Sequence, residues 1–140
     1  MRGPTNNERE ALLAAFAKAL FAKDIEAIYR VVTPDFIWSL PIGPTAPFGR
    51  QLASREDLKA YFDERDQLYS AMRFHDTVLH HAPEVTLMTF RVRGTFRATD
   101  ATFEALGMER YVFRDGRIAL KDAYWKQVAD ERRLAGASKE

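Results

Sequence analysis

The sequence predicts an α+β domain, with three helices and one early strand followed by a meander of four long strands. Two periodicities carry that prediction. Before Met72, apolar residues recur at three- and four-residue steps, as on a helix with one buried face; after it, branched and aromatic residues form long strand-like runs. The third observation is the Asp115-Gly116 pair between two such runs, a tight-turn signature for a hairpin. Helices segregated to one face of a largely antiparallel sheet make this class.

Thr5 opens the first helix, because Glu8 follows at the spacing of a capping box, in which each side chain covers the other residue's free amide. Leu12, Leu13, Phe16, Leu20 and Phe21 form its apolar stripe. Ala22 to Asp24 interrupts. Ile25, Ile28, Tyr29 and Val32 continue as a short second helix that Pro34 stops, since proline lacks an amide hydrogen and constrains its predecessor. "DFIWSL" reads as a strand from its aromatic and branched content. "PIGPTAPFGRQLA" holds three of the six prolines and two of the seven glycines, and reads as a loop long enough to act as a rim or lid. Ser54 starts a third helix, with Leu58, Tyr61, Phe62 and Leu68 on one face and Glu56, Lys59, Asp63 and Glu64 on the other. "RFHDTVLHH" turns at "APE" into "VTLMTFRVRGTF". "RATDAT" then leads to "FEALGMERYVFR", and the chain reverses into "RIALKDAYWKQ". Residues 1–128 read as one domain and 129–140 as a polar tail that frays.

Composition narrows the function. A chain of 140 residues can bury a core without staples, and it has no cysteine, which excludes disulfides, thiolate catalysis and cysteine-ligated metals. A formal charge of +1 lacks the concentrated positive field that phosphate backbones need, so nucleic acid is not the expected partner. "FRVRGTFR" reads as a strand with one polar face. No apolar run approaches the roughly 20 residues of a membrane span, and "MRGPTNNERE" lacks a signal-peptide core, so no membrane partner and a cytoplasmic address are expected. His80 and His81 sit beside a turn with no third ligand at metal spacing, so neither a metal nor a cofactor is expected. His75 beside Asp76 is no dyad, because neighbours on a strand face opposite ways.

Alternation sorts the last hairpin. Glu109, Tyr111 and Phe113 oppose Arg110, Val112 and Arg114, and the arginines mark the solvent side. Glu109 therefore shares a face with two aromatic rings. On the final strand, Ala119, Lys121, Ala123 and Trp125 oppose Ile118, Leu120, Asp122 and Tyr124. A strict two-residue turn sets Glu109 beside Asp122, whereas a three-residue turn with a glycine bulge shifts the register. Both registers stay open. Phe36, Trp38 and Leu40 share one strand face and, with Phe16, Tyr29, Tyr61 and Phe62, form either plain core or a pocket wall.

The order of elements, with "ALLAAFAKALFAKDIEAIYRVVTPDFIW", "PIGP" and "YVFRDGRIALKDAYW", resembles the SnoaL-like group of the nuclear transport factor 2-like fold over residues 6 to 128. The resemblance implies a cone: helices packed in the concave face of a curved, mostly antiparallel sheet around an apolar pocket. It also implies a small hydrophobic organic molecule as ligand, and a homodimer. In the register usual for that family, Lys121, Ala123 and Trp125 point inward. Ketosteroid isomerases of this fold place a tyrosine where this chain has Phe16, an aspartate where it has Leu40, and an oxyanion-hole acid where it has Glu109. Epoxide hydrolases of the fold match Arg91 but require an acid where Arg93 stands, and another where Ala123 follows Asp122. Polyketide cyclases carry an acid near the same strand, which Asp122 supplies on a shifted register. Glu109, Arg91 and Asp122 are thus the candidate catalytic groups. Desolvation would favour a protonated Glu109 able to shuttle a proton near neutrality, and Arg91 would hold a carboxylate or enolate-like oxygen. Phe16, Trp38, Leu40, Tyr61, Thr89, Tyr111, Lys121 and Trp125 are the candidate ligand contacts. An ion pair of Glu109 with Lys121 or Arg91 that only fixes strand register is the competing account. A non-catalytic binding or assembly module is the competing function.

Overall fold

A computed structural model describes residues 3–126, and the predicted tail at 129–140 lies outside them. Three helices accompany a six-stranded, mostly antiparallel curved sheet. Helix α1 spans Asn6–Phe21. Its capping box is formed: the Glu8 amide donates to Thr5 Oγ1 at 3.1 Å and the Thr5 amide to Glu8 Oε1 at 2.7 Å. Helix α2 spans Ile25–Val31 under an Asp24 cap that accepts from the Ala27 amide at 3.1 Å. Strand β1, Val32–Thr45, follows with no loop between. The second helix therefore ends three residues before Pro34, and Val32 belongs to the strand. Helix α3, Arg55–Leu68, begins at Ser54, whose hydroxyl accepts from the Asp57 amide at 3.1 Å.

The proline-rich segment is a hairpin and not a free loop. Its first part extends β1 to Thr45, and Gly49–Leu52 forms β2, paired back through Trp38↔Leu52 and Leu40↔Arg50. Prolines are tolerated here because β2 is the edge and this end of β1 is only partly paired. The four long strands are β3 (Tyr69–His81), β4 (Val85–Phe96), β5 (Thr102–Arg114) and β6 (Arg117–Trp125). The sheet order is β2-β1-β6-β5-β4-β3, with only β1 and β6 parallel. No described helix is long and apolar enough to cross a membrane.

One face of the sheet meets the helices. Phe16 of α1 packs edge-on against Phe36 of β1 at 5.8 Å and Tyr111 of β5 at 6.4 Å, ring centre to ring centre. Ile28, Leu52, Leu58, Phe62 and Ile118 complete the centre of the core. Arg9 is buried and ties α1 to the turn between β3 and β4. One terminal nitrogen donates to the carbonyls of Ala82 at 2.6 Å and Val85 at 3.0 Å, the other to Pro83 at 2.6 Å. Two residues of the predicted apolar faces are exposed: Phe21 is 62% and Leu68 51% exposed, each the last residue of its helix.

The closing hairpin combines the two registers that the sequence left open. Arg114 pairs with Arg117 across a two-residue turn, with Asp115 at φ 54° and Gly116 at φ 73°. That left-handed pair suits the twist of the strands it joins. Phe113 pairs with Ile118 but Val112 pairs with Leu120, so Ala119 is extra. This bulge, not a longer turn, shifts the register. Tyr111 consequently faces Lys121 and Glu109 faces Ala123. Another register shift lies between His75 and Val78 of β3, with Asp76 at φ 55°. There His75 and Asp76 do meet, Nδ1 to Oδ2 at 3.5 Å, because alternation fails at a bulge.

Candidate functional site

Between the helices and the inner face of the sheet lies a cavity of about 310 Å³. This is near the lower end of the ~300–1,000 Å³ typical of small-molecule sites. Each element supplies wall by its own period. Helix α1 gives Leu13, Phe16, Ala17 and Leu20; β1 gives Trp38 and Leu40; α3 gives Tyr61 and Arg65. The long strands add Phe74, Met88, Phe90, Tyr111, Ala123 and Trp125 among others. The wall is mostly apolar, as organic ligands require.

Its charged part is a buried triad. Lys121 Nζ stands 3.0 Å from Glu109 Oε2 and donates to the Tyr111 hydroxyl at 3.1 Å, while that hydroxyl donates to Glu109 Oε1 at 2.5 Å. Glu109 is 7%, Lys121 4% and Tyr111 2% exposed. The ammonium also lies 5.0 Å from the Trp38 ring centre and 5.4 Å from that of Phe16, within the range of cation–π attraction. Among the described residues the triad takes two of its three N–H donors and leaves one. Burial pushes the Lys121 ammonium below its ordinary value, and Glu109 opposes that shift. Burial, then the Glu109 charge and hydrogen bond, holds the Tyr111 phenol well above its own.

The structure sorts the predicted residues by face. Glu109, Phe16, Trp38, Leu40, Tyr61, Tyr111, Lys121 and Trp125 all line the cavity. Arg91, Thr89 and Asp122 do not. On β4 the inward set is Thr86, Met88, Phe90 and Val92, three of them buried and the fourth packed on the core, which turns Thr89 and Arg91 outward. Arg91 pairs there with Asp76 at 3.5 Å. The bulge at Ala119 sends Lys121 inward and Asp122 outward, where Asp122 meets Arg110 at 3.2 Å and accepts from the Tyr124 hydroxyl at 2.8 Å. Nor is Glu109 a lone acid among rings, since Lys121 and Tyr111 satisfy both its oxygens. Sequence reasoning missed Arg65. Its signal was available: Arg65 follows Tyr61 by four and Leu58 by seven residues, on the same helical face. No group of acids and histidines suited to a metal occurs among the described residues.

All five tyrosines titrate above their ordinary value of 10.0. Burial is the leading cause for Tyr29, Tyr61, Tyr69 and Tyr111, and the hydrogen bond to Asp122 for Tyr124. A raised phenol keeps its proton where the unfolded chain has lost it. Its stabilisation is complete below the unfolded value and is lost as pH rises through the folded one. Lys121 acts with the opposite sign, but only up to its ordinary 10.5. The urea midpoint is therefore expected to fall steadily above about pH 10, with tyrosinate absorbance appearing as the chain unfolds. A midpoint constant well beyond that pH would contradict the assignment.

Comparison with known proteins agrees with this architecture. A family model described as a SnoaL-like domain matches residues 12–121. Among curated proteins no sequence matches. Solved structures of similar fold include an NTF2-like protein from Burkholderia xenovorans LB400, 18% identical, with a TM-score of 0.72 over 96% of this chain and 98% of that one. A candidate polyketide cyclase from Xanthomonas campestris pv. campestris is 18% identical, with a TM-score of 0.69 over 86% and 91%. TerC, co-crystallised with polyporic acid, is 13% identical, with a TM-score of 0.66 over 95% and 99%.

Proposed function

The chain belongs to the SnoaL-like domain family, and from that premise we propose that it is a proton-transfer enzyme acting on a small, largely hydrophobic organic molecule. The helices would close the concave side of the sheet over that molecule. The observation that carries the reading is the buried Glu109–Tyr111–Lys121 triad opening on an otherwise apolar cavity. A candidate cyclase name and a co-crystallised polyporic acid among the similar folds accord with it.

The groups suit enolate chemistry. A substrate carbonyl oxygen accepts the remaining N–H of Lys121, whose lowered affinity for its proton makes the ammonium a stronger donor. Glu109 uses a free lone pair to take the proton from the adjacent carbon; that C–H bond breaks and its electron pair moves onto the carbonyl as an enolate. In a β,γ-unsaturated ketone the enolate extends over the double bond; returning the proton to the γ carbon forms that C–H bond, moves the double bond into conjugation and completes an isomerisation. If the enolate carbon first attacks a second carbonyl of the same molecule, the proton passes to the new alkoxide and a ring has closed. Tyr111 holds the carboxylate in place and stays a phenol throughout.

The test is deuterium exchange from heavy water into the acidic carbon of aryl ketones, followed by magnetic resonance. Wild-type protein should speed exchange above buffer. Glu109→Gln should lose about 10²–10⁴-fold of that while still unfolding cooperatively. Equal exchange by the variant removes Glu109 from the chemistry. The mutual satisfaction of the three buried groups favours a second reading, a non-catalytic ligand-binding module. Ligand binding without exchange by the wild type would select it.

A further inference from the structure

Among the described residues three cations line the cavity, but only one carboxylate does, that of Glu109. Lys121 is matched by Glu109, and Arg50 by Glu64, which it meets through two parallel hydrogen bonds of 2.8 and 2.9 Å. Arg65 is matched by no acid among the described residues. It is half-buried in the last turn of α3, with its guanidinium 6.0 Å from the Tyr61 ring centre and 5.7 Å from that of Phe74. The placement is not electrostatically idle. Arg65 lies near enough to disfavour the charged form of Lys121 and to favour the ionised forms of the Tyr61 and Tyr69 hydroxyls. A cation that burdens its neighbours inside an apolar cavity is stabilised when a ligand brings the missing negative charge.

We propose that Arg65 is the anion-recognising residue of this cavity, and that the ligand is an organic acid: an aromatic or alicyclic body carrying a carboxylate or an equally acidic enol. The inference rests on the pocket reading above and deepens it. With the anionic group held at Arg65 and the rings against Tyr61, Phe74 and Trp38, the reacting carbonyl is directed toward Lys121 and Glu109. Arginine suits the task because its planar fork meets a carboxylate through two hydrogen bonds.

The probes are naphthoate and its neutral carboxamide, matched in size and ring area. Binding is read from fluorescence of Trp38 and Trp125, the chain's two tryptophans, both in the cavity wall. Wild-type protein should prefer naphthoate by about tenfold or more, as expected for one charge-assisted bond. The preference should fall to about twofold or less in Arg65→Gln and be partly kept in Arg65→Lys. Arg117→Gln, which removes the same charge at the exposed hairpin turn, should leave it intact. Equal affinity of wild type for both probes, or a preference that survives Arg65→Gln, overturns the inference and leaves the pocket standing. Failure of both probes to bind the wild type at millimolar concentration overturns the pocket reading along with it.

Discussion

Lys121→Met alone is expected to lower the unfolding free energy by about 3–5 kcal/mol, the usual consequence of leaving one member of a buried ion pair without its partner. The Glu109 carboxylate, on a side chain only 7% exposed, would keep only the Tyr111 hydroxyl. Replacing the whole triad by apolar groups of similar volume (Glu109→Leu, Tyr111→Phe and Lys121→Met together) should return most of the loss, because each desolvation cost leaves with its own group. The triple substitution is needed because the Tyr111 hydroxyl bonds to both charges. A double variant would strand it, at about 1–3 kcal/mol. Urea denaturation of the three proteins measures the series, and deuterium exchange measures the activity. Recovered stability with abolished exchange would mean the charges are kept for chemistry at the expense of the fold. A cost under about 1 kcal/mol for Lys121→Met would instead show that water reaches the pair.

Gly49→Ala should cost on the order of 2–4 kcal/mol, from left-handed strain and overpacking together. Gly49 sits at φ 83°, and an added Cβ would stand 2.2 Å from the Leu40 carbonyl oxygen, a backbone atom that cannot swing away. Gly116→Ala is the control. Its φ of 73° carries similar strain, but nothing lies within 4 Å of the new carbon, so about 1–2 kcal/mol is expected. The difference between the two isolates the clash. Gly49 pairs with Thr45 at the end of the β1–β2 hairpin that carries Leu40, Pro41, Ile42 and Arg50 to the cavity. Gly49→Ala should therefore also weaken naphthoate binding, whereas Gly116→Ala, on an exposed turn, should not. Equal losses of stability in the two variants would show that the hairpin yields.

Local signals made much of this molecule legible. The capping box at Thr5 and Glu8, the Ser54 cap and the Asp115-Gly116 turn depend on residues within four positions of one another, so the sequence states them outright. Alternation on β5 was equally local, and it put Glu109 and Tyr111 on one inward face. The misplacements share a cause. Arg91, Thr89 and Asp122 lie on strands whose inward face depends on a partner's register, and a one-residue bulge at Ala119 reverses the outcome on β6. Alternation argues against a dyad of His75 and Asp76, and a bulge suspends that alternation. The proline-rich segment read as loop because its pairing is with itself, across a turn with no strong hairpin signature.

By itself the sequence determined the class of fold, its helix starts, its final turn and the residue types available for a pocket, because each rests on backbone preferences and periodicities that act within a few residues. Which acid meets which base, and which arginine faces the ligand, was decided only in the tertiary structure. Glu109 and Lys121 are brought to 3.0 Å, and Arg65 to the same cavity, by pairings between distant strands and by the packing of α3. Strand side chains alternate with period two, so a single inserted residue inverts a face, and that insertion is stabilised by contacts no local window contains.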